Sequence, residues 1–171
     1  MNAPRWGIVL AVTAACWSSA ALAQGVIERV KAGGKIVIAH RESSVPFSYV
    51  DPATKKPVGY ALDLCLKLAD AVGKKAGVRN VPVEFLQVTP ANRIAMVEQG
   101  KADMECGSTT NNAERREKVA FTIPHFITGA RLLVKADSPI DRIEDLMGKK
   151  LVSTKGTTPL KAADQANRER L

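Results

Sequence analysis

The alternation of strand and helix between Lys35 and Cys106 constrains this chain more than any other feature. Lys35 to Ala39 (Lys-Ile-Val-Ile-Ala) reads as a buried parallel strand, apolar without a break from Ile36. Ala61 to Ala76 follows as an amphipathic helix, with Ala61, Cys65, Leu68 and Val72 on one face and Asp63, Lys67, Asp70 and Lys74 elsewhere. Val81 to Val88 reads as the next strand, with Val81, Val83 and Phe85 inward. Thr89-Pro90 then offers an N-cap followed by proline at the first helical position, and that helix reaches Gln99 with Gly100 at its C-cap. A third strand alternates Ala102, Met104 and Cys106 with the charged Lys101, Asp103 and Glu105. This β-α-β-α-β order defines the α/β class and predicts a parallel sheet with right-handed crossovers. Ligand groups should then collect beyond the carboxyl ends of the strands.

The residues at those ends suit a small carboxylate. The first strand runs into His40-Arg41-Glu42-Ser43-Ser44, and Arg93 falls on the first turns of the second helix. After Cys106, Gly107 breaks the third strand and a hydroxyl and amide cluster follows from Ser108 to Asn112. Asn112 or Asn111 can cap a short helix carrying Arg115 and Arg116. Such a loop presents backbone N–H groups, hydroxyls and a guanidinium together, and arginine grips a carboxylate bidentately. The same loop could also be an ordinary capped helix on a surface. Its position opposite Arg41 and Arg93 favours the anion site. Arg41 could instead pair with Glu42 or Asp63, and His40 and His125 read as structural.

Elsewhere, Val26 to Lys31 reads as a short helix stopped at Gly33-Gly34, and Phe47 to Val50 with Val58 to Tyr60 as a hairpin. Pro124 bars Phe121 to Ile127 from a central strand. Gly129 to Lys135 and Lys150 to Ser153 read as strands, Ile140 to Met147 as a short helix, and a last helix opens after Lys155-Gly156-Thr157-Thr158-Pro159 and runs to Leu171.

Residues 1–23 read as a cleavable signal peptide: Arg5, an apolar stretch from Trp6 to Trp17, and Ala21-Leu22-Ala23 before Gln24. The stretch is too short to span a bilayer. Thr13-Ala14-Ala15-Cys16 lacks the large aliphatic residue that precedes a lipidated cysteine. Losing Arg5 with this segment takes the formal net charge from +8 to +7 and leaves Cys65 and Cys106. An oxidising compartment permits a disulfide, but a buried free thiol is the default for each. No Cys-x-x-Cys or His/Cys cluster points to a metal, and no cofactor is implied. The basic residues are scattered as singles and pairs without an aromatic stacking platform, which argues against nucleic acid.

Taken together, His40-Arg41-Glu42-Ser43-Ser44-Val45-Pro46-Phe47-Ser48-Tyr49, Val58-Gly59-Tyr60, Asn92-Arg93-Ile94, Glu105 to Asn112 with Arg115, Thr128 to Leu133, and Gly156-Thr157-Thr158 resemble the family 3 solute-binding proteins of ABC importers, in particular the periplasmic glutamate/aspartate-binding group. The resemblance implies the type II periplasmic binding protein fold, two α/β lobes closing on an amino acid. On this basis residues 24–128 would form lobe 1, 129–137 a hinge-crossing strand and 138–171 the start of an incomplete lobe 2. By the same resemblance, Arg115, helped by Thr110 and Thr158, would hold the ligand's α-carboxylate, and Ser108 its ammonium. Arg41 and Arg93 would take the side-chain carboxylate. Pro90 stands where the family often has a hydroxyl residue, removing one side-chain contact. The implied partner is an inner-membrane ABC permease, and the implied state a monomer. A sensory input domain is the alternative, and a dehydratase on the same fold a weaker one, with Glu42 its one nearby acid-base candidate. Residues 1–171 alone should bind glutamate far more weakly than a chain continuing through the second lobe, as calorimetry on both would show.

Overall fold

The computed structural model describes residues 25–169, so the signal peptide expected over residues 1–23 lies outside the described residues. Helices α1 (Val26–Lys31), α2 (Tyr60–Ala76), α3 (Arg93–Glu98), α4 (Ala113–Arg116) and α5 (Thr158–Arg168) accompany strands β1 (Ile36–His40), β2 (Ser43–Ser44), β3 (Ser48–Val50), β4 (Pro57–Val58), β5 (Val83–Gln87) and β6 (Met104–Cys106). β1 lies between β5 and β6 and pairs with both in parallel, Ile38 opposite Phe85 on one side and Met104 on the other. β2, β3 and β4 form a separate antiparallel ribbon, so the expected hairpin gains a third strand.

The period of β1 divides the core into two layers. Ile36 and Ile38 face α1 and α2, where they bury with Val30, Ala61, Leu62, Cys65 and Ala69. Val37 and Ala39 face the other way, against Val88, Ala102 and the α3 residues Met96 and Val97. Helices thus cover both faces of the sheet, which is why β1 carries no charged side chain.

Several expectations are corrected. Cys65 and Cys106 are not free thiols: they form a disulfide that joins the apolar face of α2 to the end of β6, with Cα atoms 6.4 Å apart. Phe85 is not inward; β5 is an edge strand and leaves the ring 37% exposed, edge-on to His40. α3 begins at Arg93 rather than at Pro90, because Thr89 and Asn92 cap each other across a turn. There, Thr89 N–H donates to Asn92 Oδ1 at 2.8 Å and Asn92 N–H to Thr89 Oγ1 at 3.3 Å.

Residues 129–135 and 150–153 form no strands. A strand needs a hydrogen-bonded neighbour, and none is present for them among the described residues; Leu133 and Val152 stand 101% and 93% exposed. The expected helix at 140–147 shrinks to one 3₁₀ turn, Ile143–Leu146, and α5 ends at Arg168.

The disulfide closes a loop between positions 65 and 106, a sequence separation of 41. Replacing both cysteines by alanine should cost about 2–4 kcal/mol, through the loop entropy returned to the unfolded chain. Urea unfolding of wild type and variant, with and without a dithiol, checks this: reductant should destabilise only the wild type.

Candidate functional site

Each strand of the parallel sheet ends at the same edge, and each end delivers polar groups there. β1 delivers Arg41, whose backbone N–H donates to the fully buried Ser48 Oγ of β3 at 2.9 Å. The turn after β5 leads into α3 and places Arg93, only 3% exposed. β6 delivers Glu105, the register partner of Ala39 and so on the α3 side of the sheet.

These three side chains form a buried charged cluster. Arg93 Nη1 lies 3.8 Å from Glu105 Oε1, an ion pair beyond hydrogen-bond length. Arg93 Nε and Nη1, Arg41 Nε, Glu105 Oε1 and Thr109 Oγ1 are buried without a hydrogen-bond partner among the described residues. Burial pushes the Arg93 guanidinium down to about 10; Glu105 opposes the fall, while Arg115 and Arg41 add to it. Arg41 is lowered by burial too, again against the pull of Glu105. Buried cations with unused donors have the chemistry to pair with an anion, since leaving such donors unmade is costly.

The loop after β6 forms the second part. Asn112 Oδ1 accepts from Arg115 N–H at 3.0 Å and caps α4. Arg115 Nη1 donates to the Thr110 carbonyl at 2.9 Å and Nη2 to the Gly156 carbonyl at 3.4 Å. The Thr110 and Thr158 hydroxyls meet at 3.1 Å. Arg116 turns instead to Asn111, at 2.8 Å. Arg115, Thr110 and Thr158 are therefore brought together, and Arg93 feels the charge of Arg115. Ser108 stands exposed on the same loop and hydrogen-bonds to none of them. A depression of ≈ 250 Å³ lies beside Arg115, Thr157 and Lys161. A larger one, ≈ 520 Å³, is lined by Asp70, Lys74, Arg79 and Val81, and by none of Arg41, Arg93 and Arg115.

Glu105 went unrecognised as a site residue because its alternation with Met104 and Cys106 suggests a solvated face. Its nearness to the end of a strand covered by helices on both sides was the available signal. Among the described residues there is no group of three His, Cys, Asp or Glu that could hold a metal, and no helix long and apolar enough to cross a membrane.

A parallel sheet covered on both faces, with cationic donors gathered at its carboxyl edge, is an α/β architecture whose edge chemistry suits a small anion. The chain belongs to the bacterial extracellular solute-binding proteins, family 3, which residues 36–170 match. It is 42% identical over 151 residues to an L-glutamate/L-aspartate-binding protein of Pseudomonas aeruginosa, covering 86% of this chain and 50% of that one. A glutamate/aspartate import solute-binding protein of Salmonella typhimurium is 43% identical over 136 residues, covering 80% and 45%. Among solved structures, a mutant of ArgBP from T. maritima superposes with a TM-score of 0.72 at 26% identity, covering 82% of this chain and 59% of that one. The chain spans about half the length of the curated relatives it matches.

The contact between this loop and the start of α5 depends on Gly156. Its φ is +80°, and a Cβ there would come within 2.8 Å of the Ala91 backbone. Gly156→Ala should therefore weaken docking of residues 156–160 by at least about 1 kcal/mol. Hydrogen exchange should show faster amides at Thr157, Thr158 and Leu160 and unchanged ones in β1.

Proposed function

We propose that this protein is the periplasmic solute-binding component of an ABC amino-acid importer, capturing glutamate or aspartate and delivering it to a membrane permease. One observation carries the reading: two buried guanidinium groups, Arg41 and Arg93, keep unpaired N–H donors at the sheet edge where a ligand would sit. Relatives named for glutamate and aspartate support it.

In this reading Arg41 and Arg93 take the side-chain carboxylate. Arg115, Thr110 and Thr158 take the α-carboxylate, and Ser108 takes the ammonium. Residues 24–128 act as the first lobe, 129–137 cross to the second, and 138–171 begin it. A ligand bridging the lobes gains contacts only in the closed state, so binding shifts the population towards closure, the form a permease would read. The same geometry asks for no reaction. Glu42, the acid-base candidate, is exposed, and the site's work is charge pairing. Micromolar affinity corresponds to about −8 kcal/mol, within reach of two paired carboxylates.

Calorimetry of the full-length protein with L-glutamate, L-aspartate and L-glutamine tests the proposal. Both acids should bind, and glutamine more weakly. Arg93→Gln removes charge-assisted bonds worth about 1.5–3 kcal/mol, so glutamate should bind about 10- to 150-fold more weakly while glutamine changes far less. Equal loss for both ligands, or no binding of either acid by the wild type, would refute the assignment.

A further inference from the structure

Glu105 places a negative charge inside a site read as a receptor for anions. Its side chain is 9% exposed, and its Oε1 has no hydrogen-bond partner among the described residues. At 3.8 Å from Arg93 Nη1 it lends its charge without occupying the guanidinium's donors. The backbone is cut away to make room for it. A Cβ on residue 107 would lie 2.7 Å from Glu105 Oε1 and 3.2 Å from Arg41 Cγ, so only glycine leaves both side chains in place.

The local charge count follows from the groups that face the carboxylate. Arg41 comes from the end of β1 and Arg93 from α3, and Glu105 offsets one of their two charges. Arg115 of α4 is also within electrostatic range of Arg93, but in the proposed reading its charge is matched by the ligand's α-carboxylate and not by the side-chain group. His40 turns Nδ1 to the Arg41 carbonyl at 3.0 Å. The Arg41–Glu105–Arg93 cluster is thus left with one net positive charge and unused donors.

We propose that Glu105 is a positioning and specificity-determining residue: it sets the charge of the Arg41–Arg93 pocket so that a ligand side chain with one negative charge is accepted and one with two is rejected. This rests on the reading of that pocket as the site of the ligand's side-chain carboxylate. One carboxylate neutralises the pocket. A second charge would stay unpaired beside Glu105 in a poorly hydrated site, where repulsion is weakly screened. The carboxylate acts through the two arginines and by repulsion, and donates nothing to the ligand.

Calorimetry of the full-length protein with L-glutamate, L-cysteate and O-phospho-L-serine, each at pH 5 and pH 7.5, tests the charge rule. Cysteate carries a tetrahedral sulfonate with a single charge at both pH values, which separates shape from charge. The phosphate loses its second proton near pH 6, so its monoanion becomes about 30-fold scarcer over this range. Wild-type affinity for O-phospho-L-serine should fall by that same factor of about 30, while glutamate and cysteate change less than about threefold. In Glu105→Gln the fall should shrink to less than about fivefold, and Glu105→Asp should retain it.

A flat O-phospho-L-serine profile in the wild type overturns the proposal, as does absence of its binding at pH 5 or an undiminished fall in a folded Glu105→Gln. The wild-type profile stands without any variant, and Glu105→Met is a second neutral substitution should Glu105→Gln not fold. If glutamate and cysteate bind but the phosphate profile is flat, the role of Glu105 fails and the acidic-amino-acid reading survives. If the wild type binds none of the three, that reading fails and the role of Glu105 falls with it.

Discussion

Burial of β1 on both faces and both edges is the constraint on which the rest of the structure depends. With β5 and β6 paired to it and helices above and below, its backbone polar groups are satisfied within the sheet. The chain leaves this enclosed position only at the strand's carboxyl end, and there it emerges as Arg41. The two flanking strands run parallel, so their own ends deliver the Arg93 turn and the Glu105–Gly107 segment to the same edge. The site is a consequence of strand direction before it is a consequence of any one side chain.

That edge holds charge at a cost. A buried guanidinium loses its hydration, and the downward shift of Arg93 expresses that loss. Replacing such a group by an apolar one can stabilise a fold, so its presence calls for a reason beyond stability. Glu105 supplies part of the compensation through charge, and unmade hydrogen bonds remain for something else to complete. A fold that tolerates this desolvation cost holds its donors in place beforehand, which would lower the ordering cost of an anion bound there.

Covalent and polar links hold the other side of the site. The Cys65–Cys106 disulfide ties the end of β6 to α2 one residue before the loop begins. From that fixed point the loop reaches Arg115, whose bonds to Thr110 and Gly156 connect it to the start of α5. Residues distant in sequence, Thr110 and Thr158, meet where these links and the Lys161–Glu114 ion pair join the two segments.

Local pattern sufficed for the helix at Val26–Lys31, for α2 to within one residue, for the parallel strands and for the Asn112 cap, because periodicity and capping are properties of neighbouring residues. The motif residues likewise singled out the loop and three arginines, of which Arg41 and Arg115 lie within electrostatic range of Arg93. Pattern failed where a partner distant in the chain decides the outcome. Cys65 and Cys106 pair because α2 packs across β6, which no spacing encodes. Phe85 is exposed because β5 lies at an edge, a matter of strand order. Residues 129–135 have strand composition without a neighbouring strand. Glu105 alternates like a surface residue, and only helix α3 covering that face turns it into a buried counter-charge. The sequence by itself determined the elements and the donors; the tertiary structure decided which charges are buried together, because desolvation exists only once the layers have closed.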